Sequence, residues 1–188
     1  KVGVGRGAAH GVLIKNAEAL ERMEKVDTVV VDKTGTLTEG RPAVTSVELA
    51  DGSGTTLEEV LRLAAAVERA SEHPLARAVI EAADSRDLVL PDVTDFDSPV
   101  GRGVVGTVEG RKVRLGSAEF LASEFVDASP LAAKAEALRS TGATAVFVAV
   151  GDQVQAVIAI ADPVKPTTPA AVKDLRDLLD DLLLYQRN

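Results

Sequence analysis

The sequence predicts an α/β chain that carries an inserted α+β domain built on an antiparallel sheet. A β-branched run at 28–31 ends at Asp32, which is typical of a strand buried on both faces of a parallel sheet. Residues 103–115 read as two strands joined by a tight turn at 110–111, and 144–160 read as a second hairpin. Consecutive strands with helices to one side indicate that this second sheet is antiparallel.

Helix signals separate these strands. Thr56 and Glu59 have the spacing of a capping box, and apolar residues recur at helical spacing after them. Pro74 can start a second helix, through 83, since proline is tolerated in a first turn. Further helices are predicted at 117–121, 131–140 and 169–178. The composition and charge along the chain suggest three parts, with expected limits at 1–40, 41–160 and 161–188.

The negative charge of the chain is concentrated in its middle. The 188 residues carry 29 acidic and 21 basic side chains, a net charge of −8, and residues 41–160 alone hold eighteen acids and eleven bases. Such a surface argues against nucleic-acid partners. The absence of cysteine excludes disulfides, thiolate metal sites and cysteine nucleophiles. Because the apolar runs are far shorter than the ~18 residues of a membrane span, we expect a soluble chain.

The string Asp-Lys-Thr-Gly-Thr-Leu-Thr at 32–38 is the segment that carries chemistry. A carboxylate at the carboxyl end of a buried parallel strand lies where open α/β sheets bind ligands. The following loop offers backbone N–H groups, the charge of Lys33 and three hydroxyls, those of Thr34, Thr36 and Thr38. These groups could hold a phosphoryl group while the carboxylate of Asp32 attacks phosphorus, with Mg²⁺ offsetting the repulsion between the anions. The alternative is an ordinary capped turn, because Asp, Thr and Gly are common turn residues.

This string is identified as the phosphorylation signature of P-type ATPases. The resemblance implies that Asp32 becomes an aspartyl phosphate, that Asp32 and Thr34 hold part of a magnesium site, and that the catalytic neighbours are Lys33, Thr34, Gly35 and Thr36. Phosphatases of the haloacid-dehalogenase superfold commonly carry a second aspartate two residues later, which hastens breakdown of the phosphoenzyme. A threonine hydroxyl cannot do that work near pH 7, so Thr34 favours a pump over a phosphatase.

A second string, Ser-Glu-His-Pro-Leu-Ala at 71–76, resembles heavy-metal P-type ATPases, and Glu68 has the spacing of that subfamily. The resemblance implies that His73 lies against the adenine ring of ATP and that Glu68 contacts the purine edge or orients the site. Taken without the flanking string, His73 would be a surface cap before a helix proline. Glu68 would then be a snorkelling side chain near the apolar face of its helix.

Glycines extend the nucleotide resemblance. Gly101 and Gly103 belong to a G-x-G-x-x-G string that runs into a strand, so it is a poor dinucleotide fingerprint, although glycines let a backbone approach a ligand closely. In the heavy-metal subfamily this Gly-x-Gly lines the ATP pocket. Gly116 also matches the subfamily, whereas Ser117 departs from the asparagine that many members have.

The resemblance covers about residues 3–178 and implies the fold. We expect a partial haloacid-dehalogenase-like (Rossmann-like) phosphorylation domain, 1–40 and 161–188, with a nucleotide-binding domain inserted at 41–160. The stretch 11–21 is most similar to copper and silver pumps, so Cu⁺ is the expected cargo, and 162–166 resembles a returning hinge strand.

Later motifs of a P-type ATPase, and its membrane helices, do not occur in the sequence. We therefore expect a cytoplasmic portion of an integral membrane protein whose partners are ATP, Mg²⁺ and the pump's membrane and actuator domains, with the transported metal bound elsewhere. Two alternatives stay open. One is a phosphohydrolase of the haloacid-dehalogenase type, and the other is a non-catalytic nucleotide-binding module in which Asp32 is never phosphorylated.

Overall fold

The computed structural model describes residues 16, 18, 22, 25–99 and 102–186, with side chains through residue 179. The chain divides into two compact units. One, called here the insert unit, is Glu39–Pro163. The other, called the outer unit, combines Lys1–Thr38 with Val164–Asn188.

The insert unit is built on one sheet of six strands, and all neighbouring strands are antiparallel. The strands are β1 (Ala43–Leu49), β2 (Val93–Asp97), β3 (Gly103–Val108), β4 (Arg111–Gly116), β5 (Thr144–Val150) and β6 (Gln153–Ala161). They lie in the order β1-β6-β5-β4-β3-β2. The predicted antiparallel sheet is confirmed. Both edge strands, β1 and β2, are additional to the predicted strands.

The β3–β4 hairpin sets the register at one end of the sheet. Glu109 and Gly110 both have positive φ angles, 53° and 76°, as a two-residue type I′ turn requires. The turn therefore lies one residue earlier than the predicted 110–111. This register places Gly103 directly opposite Gly116 at the far end of the hairpin.

Four α-helices among the described residues complete the insert unit: α1 (Leu57–Glu68), α2 (Ala76–Asp84), α3 (Ala118–Ser123) and α4 (Ala132–Ser140). A short 3-10 helix, Ser129–Leu131, precedes α4. The predicted cap of α1 is present, because the backbone N–H of Glu59 donates to Thr56 Oγ1 at 3.2 Å. Ser117 caps α3 in the same way through the N–H of Phe120. Each cap satisfies one of the N–H groups that a helix start leaves without an intrahelical partner.

The helices cover both faces of the sheet, so the expectation of helices to one side is wrong. One core packs α1 and α2 against residues such as Leu115, Val148 and Ile158. A second core packs α3 and α4 against the opposite face, around Phe147 and Val157. The alternation of side chains along each strand explains both cores, since successive residues point to opposite faces.

The described residues of the outer unit form a turn at Lys33–Leu37, a bridge between Thr38 and Val164, and the helix α5 (Thr168–Gln186). α5 extends eight residues beyond the predicted end at 178. Of the stretch 11–21, only Asn16 and Glu18 belong to the described residues. Among the described residues, no helix has both the length and the apolar character that crossing a membrane requires.

The predicted buried strand at 28–31 is not formed in this structure. Residues 26–32 have no strand assignment, and the side chain of Val30 is 93% exposed, with Val29 and Val31 also exposed. A parallel strand is held by hydrogen bonds to neighbouring strands, and no described segment of the outer unit pairs with this run. The β-branched pattern thus predicts a strand that lacks its sheet here.

Candidate functional site

The loop that follows Asp32 is a compact turn with its own internal hydrogen bonds. Gly35 has a φ of 76°, a left-handed conformation that glycine adopts without steric cost. The N–H of Gly35 donates to Thr38 Oγ1 at 3.1 Å, and this hydroxyl donates to the carbonyl of Lys33 at 3.2 Å. Thr38 is buried, so this hydroxyl ties the two ends of the loop together from the inside.

The carboxylate of Asp32 lies at the start of this loop. Asp32 occupies the N-cap position, yet its side chain makes no capping hydrogen bond within the described residues. Asp32, Lys33, Thr34, Gly35 and Thr36 are all exposed. The loop therefore presents a carboxylate, hydroxyls and an ammonium group together at the surface of the outer unit.

The segment that leads into α5 braces this loop from the far end of the chain. Lys165 Nζ donates to the carbonyl of Gly35 at 2.7 Å, and Thr168 Oγ1 donates to that of Leu37 at 2.6 Å. The backbone N–H of Lys165 also donates to Leu37, at 3.0 Å. Residues about 130 positions apart in sequence thus fix the conformation of the loop. No sequence motif assigns a role to either side chain.

The residues present fit part of a magnesium site. Mg²⁺ commonly keeps several waters and binds through one or two carboxylates plus substrate phosphates. Asp32 supplies one carboxylate, and an oxygen of Thr34 lies two residues further along the same exposed loop. The part of the chain that the structure describes has no group of three or more His, Cys, Asp or Glu side chains placed to hold a metal.

The insert unit contains a cavity of about 240 Å³ between the end of α1 and the ends of β3, β4 and β5. Four predicted residues, Glu68, His73, Gly103 and Gly116, come together in its wall. The fifth, Gly101, lies outside the described residues. The other lining residues are Leu75, Ser98, Pro99, Arg102, Val104, Leu115, Ser117, Thr144, Ala145 and Val146. The wall is mostly apolar with a few polar groups, as expected for a small-molecule site.

Glu68 is a carboxylate held in an apolar environment. It is only 6% exposed at the last residue of α1, and its Oε2 atom has no hydrogen-bond partner within the described structure. Burial raises the pKa of Glu68, and this effect outweighs the opposing influence of Ser71 and His73. A buried polar atom without a partner is costly, and such perturbed groups cluster at functional sites.

His73 is oriented by the backbone around it. Its Nδ1 atom accepts a hydrogen bond from the backbone N–H of Leu75 at 3.1 Å. The backbone N–H of His73 donates to Ser71 Oγ at 3.2 Å. The hydrogen bond accepted by Nδ1 fixes the orientation of the imidazole ring. His73 therefore both caps the start of the next helical segment and lines the cavity.

Gly103 and Gly116 are required by packing behind the cavity. A Cβ atom on Gly103 would lie 2.3 Å from the carbonyl oxygen of Leu115 and 2.5 Å from Phe120 Cδ1. A Cβ on Gly116 would lie 2.5 Å from the same ring atom and 2.7 Å from the carbonyl oxygen of Arg102. The paired glycines thus make room for the Phe120 ring of the second core, and they leave only backbone in the cavity wall.

Sequence reasoning missed several lining residues, of which Arg102 is the one that bears a charge. It is the variable residue of the Gly-x-Gly string, and its position between the two glycines was the available signal. Ser98, Pro99 and Thr144 carry no comparable signal, because they reach the cavity from loops and strand ends that only the fold brings together.

A family model described as haloacid dehalogenase-like hydrolase matches residues 26–180, which is most of the chain. The chain belongs to the haloacid dehalogenase-like hydrolase family. This family model spans both units, from the run before Asp32 into α5.

This haloacid dehalogenase-like chain also has close curated relatives. It is 50% identical over 175 residues to the silver exporting P-type ATPase of Salmonella typhimurium and 49% identical over 175 residues to the copper-exporting P-type ATPase of Legionella pneumophila. Each alignment covers 93% of this chain but only 21% and 23% of the two relatives. The chain therefore spans about a fifth of their length, and the predicted resemblance to heavy-metal P-type ATPases is confirmed.

The solved structures that are similar to this chain are also those of P-type ATPases. A zinc-transporting PIB-type ATPase in its E2.Pi state has a TM-score of 0.80 and 36% identity over 94% of this chain and 28% of that protein. The N-domain of HMA8, a copper-transporting P-type ATPase, has a TM-score of 0.54 and 32% identity over 63% of this chain and 99% of that domain. The predicted combination of a haloacid-dehalogenase-like domain and an inserted antiparallel domain is confirmed.

Proposed function

We propose that this chain is the ATP-binding and phosphorylation portion of a P-type ATPase that exports a heavy-metal cation, with Cu⁺ as the cargo. The observation that carries the proposal is the cavity of the insert unit, where Glu68 and His73 converge on an apolar wall. The copper- and silver-exporting relatives support the choice of pump and cargo.

The nucleotide-binding domain, 41–160 in this proposal, receives the adenine of ATP in the cavity. Leu75, Val104 and Leu115 offer the apolar surface that a purine needs, and a volume of about 240 Å³ suits a base better than a whole nucleotide. Glu68 can accept a hydrogen bond from an exocyclic amine through its Oε2, which no described residue engages. The polyphosphate then extends out of the cavity.

Asp32 is the nucleophile of the proposed reaction. A carboxylate oxygen of Asp32 forms a bond to the γ-phosphorus of ATP while the bond from that phosphorus to the β-phosphate oxygen breaks, which leaves an aspartyl phosphate and ADP. The hydroxyls of Thr34 and Thr36 and the ammonium of Lys33 stand on the same exposed loop to bind the transferred oxygens. A bound Mg²⁺ would offset the charge repulsion between carboxylate and phosphate.

Calorimetric titration of the 188-residue chain with ATP tests the nucleotide site. We expect binding by the wild type and clearly weaker binding by His73→Gln. Glu72→Gln is the matched control, because Glu72 is exposed, adjacent to His73 and outside the cavity wall. Absence of binding at millimolar ATP, or equal binding by wild type and His73→Gln, would refute the site.

A non-catalytic nucleotide-binding module is the second candidate for the chain acting alone. The observation in its favour is the exposed run 28–31 directly before Asp32, which pairs with no strand within the part of the chain that the structure describes. Incubation with γ-labelled ATP and Mg²⁺ distinguishes the two, and we expect no acid-stable, hydroxylamine-sensitive label. Label that appears on the wild type and disappears in Asp32→Asn would show that the chain is catalytically competent by itself.

A further inference from the structure

The insert unit must bind an anionic ligand in spite of its own negative charge. Glu39–Pro163 contains twenty acidic and eleven basic residues. A polyphosphate approaching this surface is repelled at long range, and the repulsion weakens only as salt screens it. A local cation of the protein that is free to meet the phosphates would offset this repulsion beside any bound Mg²⁺.

Nearly every basic side chain of the insert unit is already engaged. Nine of the eleven form ion pairs within the unit, namely Arg41, Arg62, Arg69, Arg77, Arg111, Lys112, Arg114, Lys134 and Arg139. A tenth, Arg86, donates to the carbonyl of Ala82 at 2.9 Å.

Arg102 is the exception among these eleven residues, all of which belong to the described part of the chain. No acidic or carbonyl acceptor of the described residues takes a hydrogen bond or an ion pair from its guanidinium. In a unit where acids outnumber bases by nearly two to one, this side chain nevertheless stays exposed, in the wall of the cavity and directly before Gly103.

Resting on the proposed ATP site, we propose that Arg102 binds the α- and β-phosphates of the nucleotide and makes the site selective for polyphosphates over adenosine. A guanidinium presents a planar fork of N–H donors that matches phosphate oxygens and stays charged at any working pH. In the proposed reaction the γ-phosphoryl group is transferred to Asp32, and the α- and β-phosphates remain in ADP. A cation that binds only these two phosphates does not oppose the transfer.

The test compares ligands that differ only in phosphate number. The 188-residue chain is titrated with adenosine, ADP and ATP as wild type, Arg102→Gln and Arg102→Lys. Arg86→Gln is the matched control, since it removes the same charge from an exposed arginine of the same unit outside the cavity wall. Because Arg102 has no partner among the described residues, unchanged thermal unfolding of Arg102→Gln is expected.

We expect Arg102→Gln to weaken ADP and ATP binding about tenfold each, the effect of one charge-assisted hydrogen-bonding group, and to leave adenosine binding unchanged. Arg102→Lys should recover part of the lost ADP and ATP binding. Arg86→Gln should leave the binding of adenosine, ADP and ATP unchanged. The salt dependence of ATP binding should also be shallower in Arg102→Gln than in Arg86→Gln.

Three results would overturn the assignment of Arg102. Equal losses for adenosine and ATP would give the residue a purely structural role. Unchanged ADP and ATP binding would remove it from the phosphate site, and a loss confined to ATP would move the contact to the γ-phosphate. Failure of the wild type to bind ATP at all would instead overturn the proposed function, and the Arg102 site with it.

Discussion

Replacing Glu68 by glutamine should stabilise the fold while weakening the nucleotide site. The carboxylate is 6% exposed and its Oε2 atom has no partner among the described residues, so Ser71 and His73 offset only part of the cost of burying its charge. Glutamine has nearly the same shape and no charge. The substitution therefore removes the cost of the buried charge and leaves the packing of α1 in place.

The size of this effect follows from the burial of one polar atom. A buried polar group without a partner costs about 1–3 kcal/mol, more when it is charged. The amide that replaces the carboxylate is still buried, so only part of this cost is recovered, and we expect a gain of about 1 kcal/mol at neutral pH. For a chain of this size, that gain corresponds to a rise of roughly 2–4 °C in Tm.

The expected gain in stability of Glu68→Gln depends on pH, and this dependence identifies the carboxyl group as its source. Burial raises the pKa of Glu68 above its ordinary value of 4.5, so the folded state binds this proton more tightly than the unfolded chain does. The stability that the protonated carboxyl provides is complete below the ordinary value and is lost as the pH rises through the raised pKa. The advantage of Glu68→Gln should therefore be small near about pH 4 and grow as the pH rises through the raised pKa, so that it is larger near about pH 7.5.

Thermal and urea unfolding at both pH values measure this difference, with Glu72→Gln as the exposed control. The control should stay within about 0.5 kcal/mol of the wild type at either pH. A Glu68→Gln variant that is no more stable than the wild type at neutral pH would refute the idea of an unsatisfied charge. A gain that persists unchanged in acid would show that the carboxyl is not its source.

Three further changes have expected outcomes. Phe125→Gly should stabilise the fold by about 0.5–1 kcal/mol in urea unfolding, because Phe125 is 96% exposed at a strained φ of 62°; a loss would reveal packing by the ring. Gly116→Ala should destabilise by about 1–3 kcal/mol, since Phe120 and a backbone carbonyl occupy the space of the new Cβ, and wild-type unfolding would refute this clash. Lys165→Met should speed amide exchange at Gly35 roughly fivefold by removing one hydrogen bond to the loop; unchanged exchange would mean that Thr168 suffices as a brace.

Sequence patterns predicted the elements whose signals are local. The capping box of Thr56 and Glu59, the paired strands of the two hairpins and the helix after Pro169 all depend on residues within a few positions of one another. Glu68, His73, Gly103 and Gly116 were brought together in prediction only by their resemblance to a known subfamily. Their spacing along the chain does not indicate that a helix end and two strand ends meet at one cavity.

Features that depend on residues far apart along the chain could not be predicted from the sequence. The run 28–31 has the composition of a buried strand, but burial requires neighbouring strands, and the described outer unit provides none to this run. β2 was missed because two of its five residues are aspartates, which strands disfavour, and Asp95 has a positive φ. The brace from Lys165 to Gly35 joins positions 130 residues apart, and no local pattern announces it.

The glycines of the cavity are explained by the side-chain packing behind the cavity wall. Close approach of a ligand is the usual reason for glycine in a nucleotide motif, and it predicts open space where the side chain would be. At Gly103 and Gly116 that space is filled by the ring of Phe120, which belongs to the second core. An alanine at either position would therefore act on the sheet first and on the nucleotide only through it. In the proposed function, selectivity for the nucleotide would then come from side chains that other elements supply to the cavity wall, among them Glu68 and His73 near the end of α1 and Arg102 before β3.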